Sequence, residues 1–267
     1  DDAAAGNKNN NASYREVNLS GGTADYTIAL TVGGTTQREK PAIEAWKVID
    51  PTVTLAYADI ANDGRFILGC KVTQNGANYT YEYALHNLNS HRCAGSFTVP
   101  FPAGTTLTGT GFHDIFYHSG DPVTTDTDWT ATTNSDNITW GGPAYSGTPP
   151  VYTMDLSVPY KVASFTAGTG NDHSANVLRW GTMFNFRFTT TVAPALGSVQ
   201  VGLWRPGTPN WAMDWHACIR PPAPCMPAPW SIATRPGPAS SWVGGFSRDR
   251  SSSPTTWAAW RRAWTTR

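Results

Sequence analysis

Short runs of β-branched and aromatic residues, broken by Gly, Pro and Asn, follow one another through most of this chain. Runs of this kind predict β-strands, here over residues 25–32, 53–60, 65–74, 79–88, 96–101, 105–117 and 177–189. Only residues 41–49 have helical features, because Pro41 suits a first helical turn and Ile43 and Trp46 lie three positions apart. The sequence therefore predicts an all-β fold: an antiparallel β-sandwich, jelly-roll or Ig-like, with one short helix near 41–49.

One dipeptide predicts a tight hairpin within this pattern. Asn75-Gly76 separates two alternating runs and suits a type I′ turn, so these two residues are expected to form the loop and to place Cys70 opposite Tyr81. Alternation also predicts which side chains share a face of each strand. These faces comprise Tyr79, Tyr81, Tyr83 and Leu85 in the second hairpin strand, and Trp180, Thr182, Phe184, Phe186 and Phe188 in the last strand.

The chain has two parts of opposite charge. Residues 1–210 carry 12 Lys and Arg against 17 Asp and Glu, whereas residues 211–267 carry 7 Arg against 2 Asp. The second part holds seven of the twelve Trp, lacks Lys, Glu, Asn and Tyr, and shows no strand or helix period. We therefore expect a β-sandwich domain over 1–209 and a tail over 210–267 outside its core. The tail is either an out-of-frame translation of GC-rich DNA or a natural Pro-rich segment that binds a surface.

Charge and hydropathy exclude two classes of protein. Lys plus Arg and Asp plus Glu balance at 19 each, and no apolar run approaches the roughly 18 residues that a transmembrane helix needs. No basic segment precedes the tail, so nucleic acid is not an expected partner. A composition poor in charge and rich in Gly, Thr, Asn and aromatics is typical of extracytoplasmic β-proteins, so the expected location is secreted or at the cell surface.

The four cysteines leave two alternatives open. Cys70 and Cys93 form a disulfide only if the chain turns back after Ser90, since a disulfide needs Cα atoms within about 7 Å. Otherwise both are buried free thiols. Cys218 and Cys225 lie in the tail on either side of a Pro-rich loop, where no His-rich context indicates zinc.

A set of motifs spreads over most of residues 1–209, at positions 37–47, 62–66, 81–90, 111–114, 117–120, 178–182 and 202–207. Together they resemble an uncharacterised family of secreted β-rich bacterial proteins of planctomycete type. The resemblance implies secretion and a β-rich fold, and it assigns no catalytic role. Because such proteins are longer at the N-terminus, it also implies that this chain is the C-terminal part of one, with any signal peptide removed or further upstream.

The densest group of reactive side chains lies within residues 111–121. His113, Asp114, His118 and Asp121 are residue types that ligate Zn²⁺ or Ca²⁺, or that move protons at an exposed strand end. In an unbroken strand Asp114 and His118 are about 13 Å apart, at ~3.3 Å per residue, so they share one ion only if the strand breaks. A turn at 119–122 would bring His118 and Asp121 together, and a structural network of hydrogen-bonded His and Asp is the alternative.

Two functions are compatible with these features. The first is a secreted or cell-surface β-sandwich that binds an extracellular polymer, expected to be a glycan, through exposed aromatic side chains at Trp129, Trp140 and Tyr145. Composition supports this function. It is preferred because no pair of carboxylates placed for glycoside hydrolysis can be identified from spacing.

The alternative is a metal-dependent hydrolase that cleaves an ester, a lactone or a glycosidic bond. A Ca²⁺ or Zn²⁺ ion held by His118, Asp121 and Asp114 would polarise the scissile group. His113 or His118, assisted by Asp114, would then move the proton. The substrate of such an enzyme would be a small ester or lactone or the polymer itself.

Overall fold

Two five-stranded antiparallel sheets share one apolar core in the part of the chain that the computed structural model describes. That part comprises residues 6–21, 26–115, 125, 127–148, 151–155, 161–166, 168–172, 174–209 and 211–212, all within one compact unit. The prediction of an all-β sandwich with one short helix is confirmed. The jelly-roll and Ig-like alternatives stay predictions.

The elements follow one another in this order: β1 Val17–Gly21, β2 Tyr26–Leu30, α1 Ile43–Ile49, β3 Thr54–Asp59, β4 Arg65–Asn75, β5 Asn78–Asn87, β6 Ala94–Pro100, β7 Thr108–His113, β8 Thr130–Thr133, β9 Asn137–Gly141, β10 Val151–Asp155, β11 Lys161–Thr166, β12 Met183–Thr190, β13 Gln200–Leu203 and β14 Trp211–Ala212. One sheet has the strand order β3-β4-β5-β12-β7, and the other has the order β14-β13-β6-β9-β8. The hairpins β1-β2 and β10-β11 are separate two-stranded ribbons.

Aromatic side chains from both sheets fill the space between them. The alternation in β5 and β12 is confirmed, because Tyr81, Tyr83 and Leu85 and the three residues Phe184, Phe186 and Phe188 are all buried. Phe97 of β6 packs against Phe186 of β12 with ring centroids 4.6 Å apart, so the two sheets meet through direct ring contacts. Burial of side chains this large is the main favourable contribution to folding.

The hairpin between β4 and β5 forms, but its register differs from the prediction. Asn75 pairs with Asn78, so Gly76 and Ala77 are the loop residues and Cys70 lies opposite Tyr83 instead of Tyr81. Gly76 has a φ of 60° while Ala77 does not have a positive φ, which fits a type II′ turn. The expectation of a type I′ turn on Asn75-Gly76 is therefore wrong. The side chains keep their predicted faces because the pairing shifts by two residues.

The helix α1 packs on the outer face of the first sheet. Its Trp46 lies so close to Gly69 of β4 that a Cβ at Gly69 would come within 2.8 Å of the indole ring. Ile43 of α1 joins Ile67, Ala84 and Leu88 in a second, smaller core. The missing side chain at Gly69 therefore lets α1 approach the sheet. Pro41 and Ala42, which precede α1, lie beside the end of β5 as a result.

Two loops at one end of the sandwich are joined along their backbones. Thr169 donates its N–H to the carbonyl of Thr148 at 2.9 Å, and Asn171 donates to the carbonyl of Ser146 at 3.0 Å. A Cβ at Gly170 would overlap the Ser146 carbonyl, because the backbones of Gly147 and Gly170 are in contact. Gly147 and Gly170 therefore bring together the two ends of the segment that contains β10 and β11.

Some predicted boundaries and pairings change. The strand expected at 105–117 ends at His113, and the strand expected to begin at residue 177 begins at Met183. Cys70 and Cys93 are both buried and are not joined in a disulfide. Trp211 and Ala212 pair with β13, two residues beyond the predicted domain end, whereas Cys218, Cys225 and the rest of the predicted tail lie outside the described residues.

Candidate functional site

A groove of about 250 Å³ lies on the outer side of the first sheet, where β5 ends and the chain enters β12. Its lining comes from four separate stretches of sequence: Asn11, Ala12, Ser13, Pro41, Ala42, His86, Leu88, Trp180 and Gly181. None of these is Asp, Glu, Lys or Arg. The groove therefore combines an apolar lining with amide, hydroxyl and imidazole groups and has no fixed charge.

A tight turn presents Trp180 at this groove. Thr182 donates its N–H to the carbonyl of Arg179 at 3.1 Å, and Gly181 has a φ of 77°, as the third position of a type II turn requires. Gly181 N–H donates to the Asn87 carbonyl at 2.8 Å, which fixes the turn to the end of β5. Trp180 is 60% exposed.

Arg179, the first residue of this turn, bonds to the backbone of the loop that precedes it. Its Nη2 donates to the carbonyls of Asp172 and Ala175 at 2.9 and 3.0 Å, and its guanidinium lies 5.8 Å from the centre of the Trp204 ring. Hydrogen bonds from a cation to backbone carbonyls are stronger than neutral ones. These bonds connect the backbone of the turn that carries Trp180 to the loop at residues 172–175.

His86 lies beside the turn at the end of β5. Its Nδ1 is 3.0 Å from the backbone oxygen of Thr182. Burial lowers the pKa of His86 from its ordinary value, and the hydrogen bond to Thr182 offsets this only in part. His86 is therefore a neutral imidazole near pH 7, with one ring nitrogen engaged by the backbone.

The prediction that Trp129 and Trp140 are exposed is wrong. Trp129 is 3% exposed and Trp140 is 0% exposed, and both belong to the core between the sheets. Trp129 stacks on Phe112 at 5.7 Å and donates its Nε1–H to the Asn176 carbonyl at 2.8 Å. Trp140 faces inward because the alternation of β9 directs it to the core, and Trp129, just before β8, is held inward by Phe112 and the Asn176 carbonyl. Neither indole is therefore open to a polymer.

Tyr145 is half-buried and also packs within the protein. Its ring meets the Trp204 ring edge-on, with centroids 4.8 Å apart and an interplanar angle of 85°. The hydroxyl of Tyr145 is buried and has no hydrogen-bond partner among the described residues. Tyr145 is therefore partly covered by Trp204 and less exposed than predicted.

The predicted metal or catalytic cluster is only partly described. His113 ends β7 with an exposed side chain, and Asp114 follows it, whereas His118 and Asp121 lie outside the described residues. Asp114 Oδ2 accepts a hydrogen bond from Nδ2 of the buried Asn176, which also donates to the Thr127 carbonyl at 2.9 Å. Asp114 thus belongs to a structural hydrogen-bond network.

Across the described ranges, no group of three His, Cys, Asp or Glu side chains is arranged to hold a metal ion. The assignment of Zn²⁺ or Ca²⁺ to His118, Asp121 and Asp114 stays a prediction, as does catalysis by His113, His118 and Asp114. Within the same ranges, no helix is long and apolar enough to cross a membrane.

Sequence reasoning missed Trp180 as a surface residue. The period-two pattern placed it with Phe184 on the inner face of a continuous strand, but the positive φ of Gly181 ends that pattern before β12 begins. The Trp180-Gly181 dipeptide was the available signal, since Gly at this position favours a turn.

Comparisons with protein-family models, curated proteins and solved structures find no match for this chain.

Proposed function

We propose that this chain is a glycan-binding β-sandwich whose binding site is the groove beside Trp180. The observation that carries the proposal is the 60% exposure of Trp180, whose backbone lies in a turn bonded to the end of β5. Indole rings are usually well buried, and an exposed one offers a flat apolar face with an N–H at its edge. The C–H faces of sugar rings stack on such a surface.

The rest of the groove supports the same kind of ligand. Asn11, Ser13 and His86 provide hydrogen-bonding groups around an apolar lining, which is the usual composition of a small-molecule site. At about 250 Å³ the groove is slightly below the roughly 300–1,000 Å³ typical of sites for drug-sized ligands. It therefore suits one or two sugar rings, with the rest of a polymer chain lying outside.

The proposal includes a secreted or cell-surface location. Its support is the composition of the chain, which is poor in charge and rich in Gly and aromatic residues, together with the resemblance of its motifs to a secreted family. The hydrolase alternative gains no comparable support from the described residues, because Asp114 bonds to Asn176.

The test is retention of the full chain on insoluble polysaccharides, followed by titration with soluble fragments of any polysaccharide that retains it. We expect Trp180→Ala to weaken binding at least tenfold, which corresponds to about 1.4 kcal/mol, and Trp180→Phe to weaken it less. Tyr57→Ala is the matched control, since Tyr57 is 44% exposed but does not line the groove. No retention on any of several neutral and acidic polysaccharides, or equal losses in Trp180→Ala and Tyr57→Ala, would overturn the proposal.

A further inference from the structure

The hydrogen bond between His86 and Thr182 determines which ring nitrogen of His86 carries the proton. A backbone carbonyl can only accept, so Nδ1, which lies 3.0 Å from the Thr182 oxygen, is the protonated nitrogen of the neutral ring. Nε2 then carries the lone pair. Because His86 lines the groove, the ring nitrogen left for a ligand is Nε2, which can accept a hydrogen bond but not donate one.

The surroundings of His86 keep the ring neutral. Its neighbours in register are Ile67 of β4 and Met183 of β12, neither of which titrates. The charged side chains of α1 have other partners, because Glu44 accepts from the Tyr57 hydroxyl at 3.1 Å and Lys47 donates to the Val53 carbonyl at 2.7 Å.

The groove lining therefore directs no cation at the ligand, and among the described residues no carboxylate raises the pKa of His86. Burial of the ring also lowers the pKa of His86, which acts in the same direction. The neutral form with a bare Nε2 is the form that a ligand meets near pH 7.

We propose that the groove selects neutral sugar units, whose hydroxyl donates to His86 Nε2, and rejects uronate and sulfated units. The inference rests on the proposed function, since it concerns the ligand of the same groove. A hydroxyl can donate, whereas a carboxylate or sulfate oxygen at the same place would only accept and would face the Nε2 lone pair. An anionic group would also lose its hydration without gaining a cation in return.

The test compares one polysaccharide with its own oxidised form. The neutral polysaccharide that retains the full chain is oxidised at C6, which turns its primary alcohols into carboxylates and leaves linkage and ring unchanged. We expect fragments of the neutral form to bind at least tenfold more tightly at pH 7.5. Equal binding of the two forms, or retention of the chain on acidic polysaccharides alone, would overturn the proposed selectivity. The binding loss in Trp180→Ala tests separately whether the groove is the binding site.

Two further measurements test His86 directly. The ¹⁵N chemical shifts of its ring should show the proton on Nδ1 at pH 7.5, and a proton on Nε2 would overturn the inference without any variant. His86→Gln should reduce the preference for the neutral form to less than about threefold, because an amide both donates and accepts. His91→Gln, at a histidine that does not line the groove, should keep the full preference. An unchanged preference in His86→Gln would also overturn the inference.

Discussion

Arg205 and Asp172 form a two-point ion pair inside the protein. Arg205 Nε lies 2.6 Å from Asp172 Oδ1, and Nη2 lies 3.0 Å from Oδ2, with side chains only 9% and 5% exposed. Arg205 also donates to the backbone oxygen of His91 through Nη1. The pair therefore joins the chain after β13 to two loops that are distant in sequence, one of which supports Arg179 and the Trp180 turn.

Asp172→Asn should destabilise the protein by about 3 kcal/mol, because it leaves the buried guanidinium without its counter-charge. Urea unfolding of the full chain measures the loss. Arg65 and Asp59 provide the matched control, since they form the same two-point geometry at 2.8 and 2.8 Å with side chains 26% and 51% exposed. Asp59→Asn should cost less than about 1 kcal/mol, and similar losses in the two variants would contradict the argument from burial.

Trp129 and Trp140 allow a second matched comparison. Trp129 donates its indole N–H to the Asn176 carbonyl, whereas the N–H of Trp140 has no partner among the described residues. Changing either to Phe removes a similar volume from the core. Trp129→Phe should therefore destabilise the protein by about 0.5–1.5 kcal/mol more than Trp140→Phe, which is the net contribution of one hydrogen bond. Thermal unfolding would contradict this if the Trp140 variant were the less stable one.

The pKa of His86 makes stability depend on pH. In the folded protein burial lowers this pKa, while in the unfolded chain it returns to about 6.5, so the unfolded chain binds more protons below that pH. The stabilising contribution is present above about pH 6.5 and is lost as the pH falls towards the folded value. The free energy of unfolding should therefore decrease between pH 7 and pH 5, and His86→Gln should show a smaller decrease.

His91 contributes in the same direction, because burial and the nearby Arg205 guanidinium lower its pKa. His91→Gln should therefore also show a smaller decrease in the free energy of unfolding between pH 7 and pH 5. Carboxylates affect the free energy of unfolding at lower pH than these histidines do. The hydrogen bond from Arg65 lowers the pKa of Asp59, so the stabilising contribution of Asp59 is lost only below about pH 4. If His86→Gln left the slope between pH 7 and pH 5 unchanged, His86 would not be a buried neutral imidazole.

The alternating faces of the strands were predictable because they depend on neighbouring residues alone. Tyr81 and Tyr83 in β5 and Phe184 and Phe186 in β12 follow a period of two, and all four are buried as that period predicts. The hairpin itself was also predictable from Gly76. Its register was not, since a type I′ and a type II′ turn both accept a glycine and differ by one position in the loop.

The burial of Trp129 and Trp140 could not be predicted, because it depends on how β9 and the residue before β8 meet the opposite sheet. β8 and β9 are short, so their alternation gives a weak signal. The groove was unpredictable for a similar reason: its lining comes from four stretches that only the tertiary fold brings together. Trp180 was misassigned because one glycine with a positive φ interrupts an otherwise regular pattern.

The contact between Gly147 and Gly170 has a consequence for how this sandwich can change in evolution or by engineering. The two ends of the segment between them are adjacent, so a longer segment adds loop-closure entropy that grows only slowly with the number of residues. We expect a module inserted between these glycines to leave both ends of the segment in place. This junction is thus a natural position at which the protein could gain an additional domain.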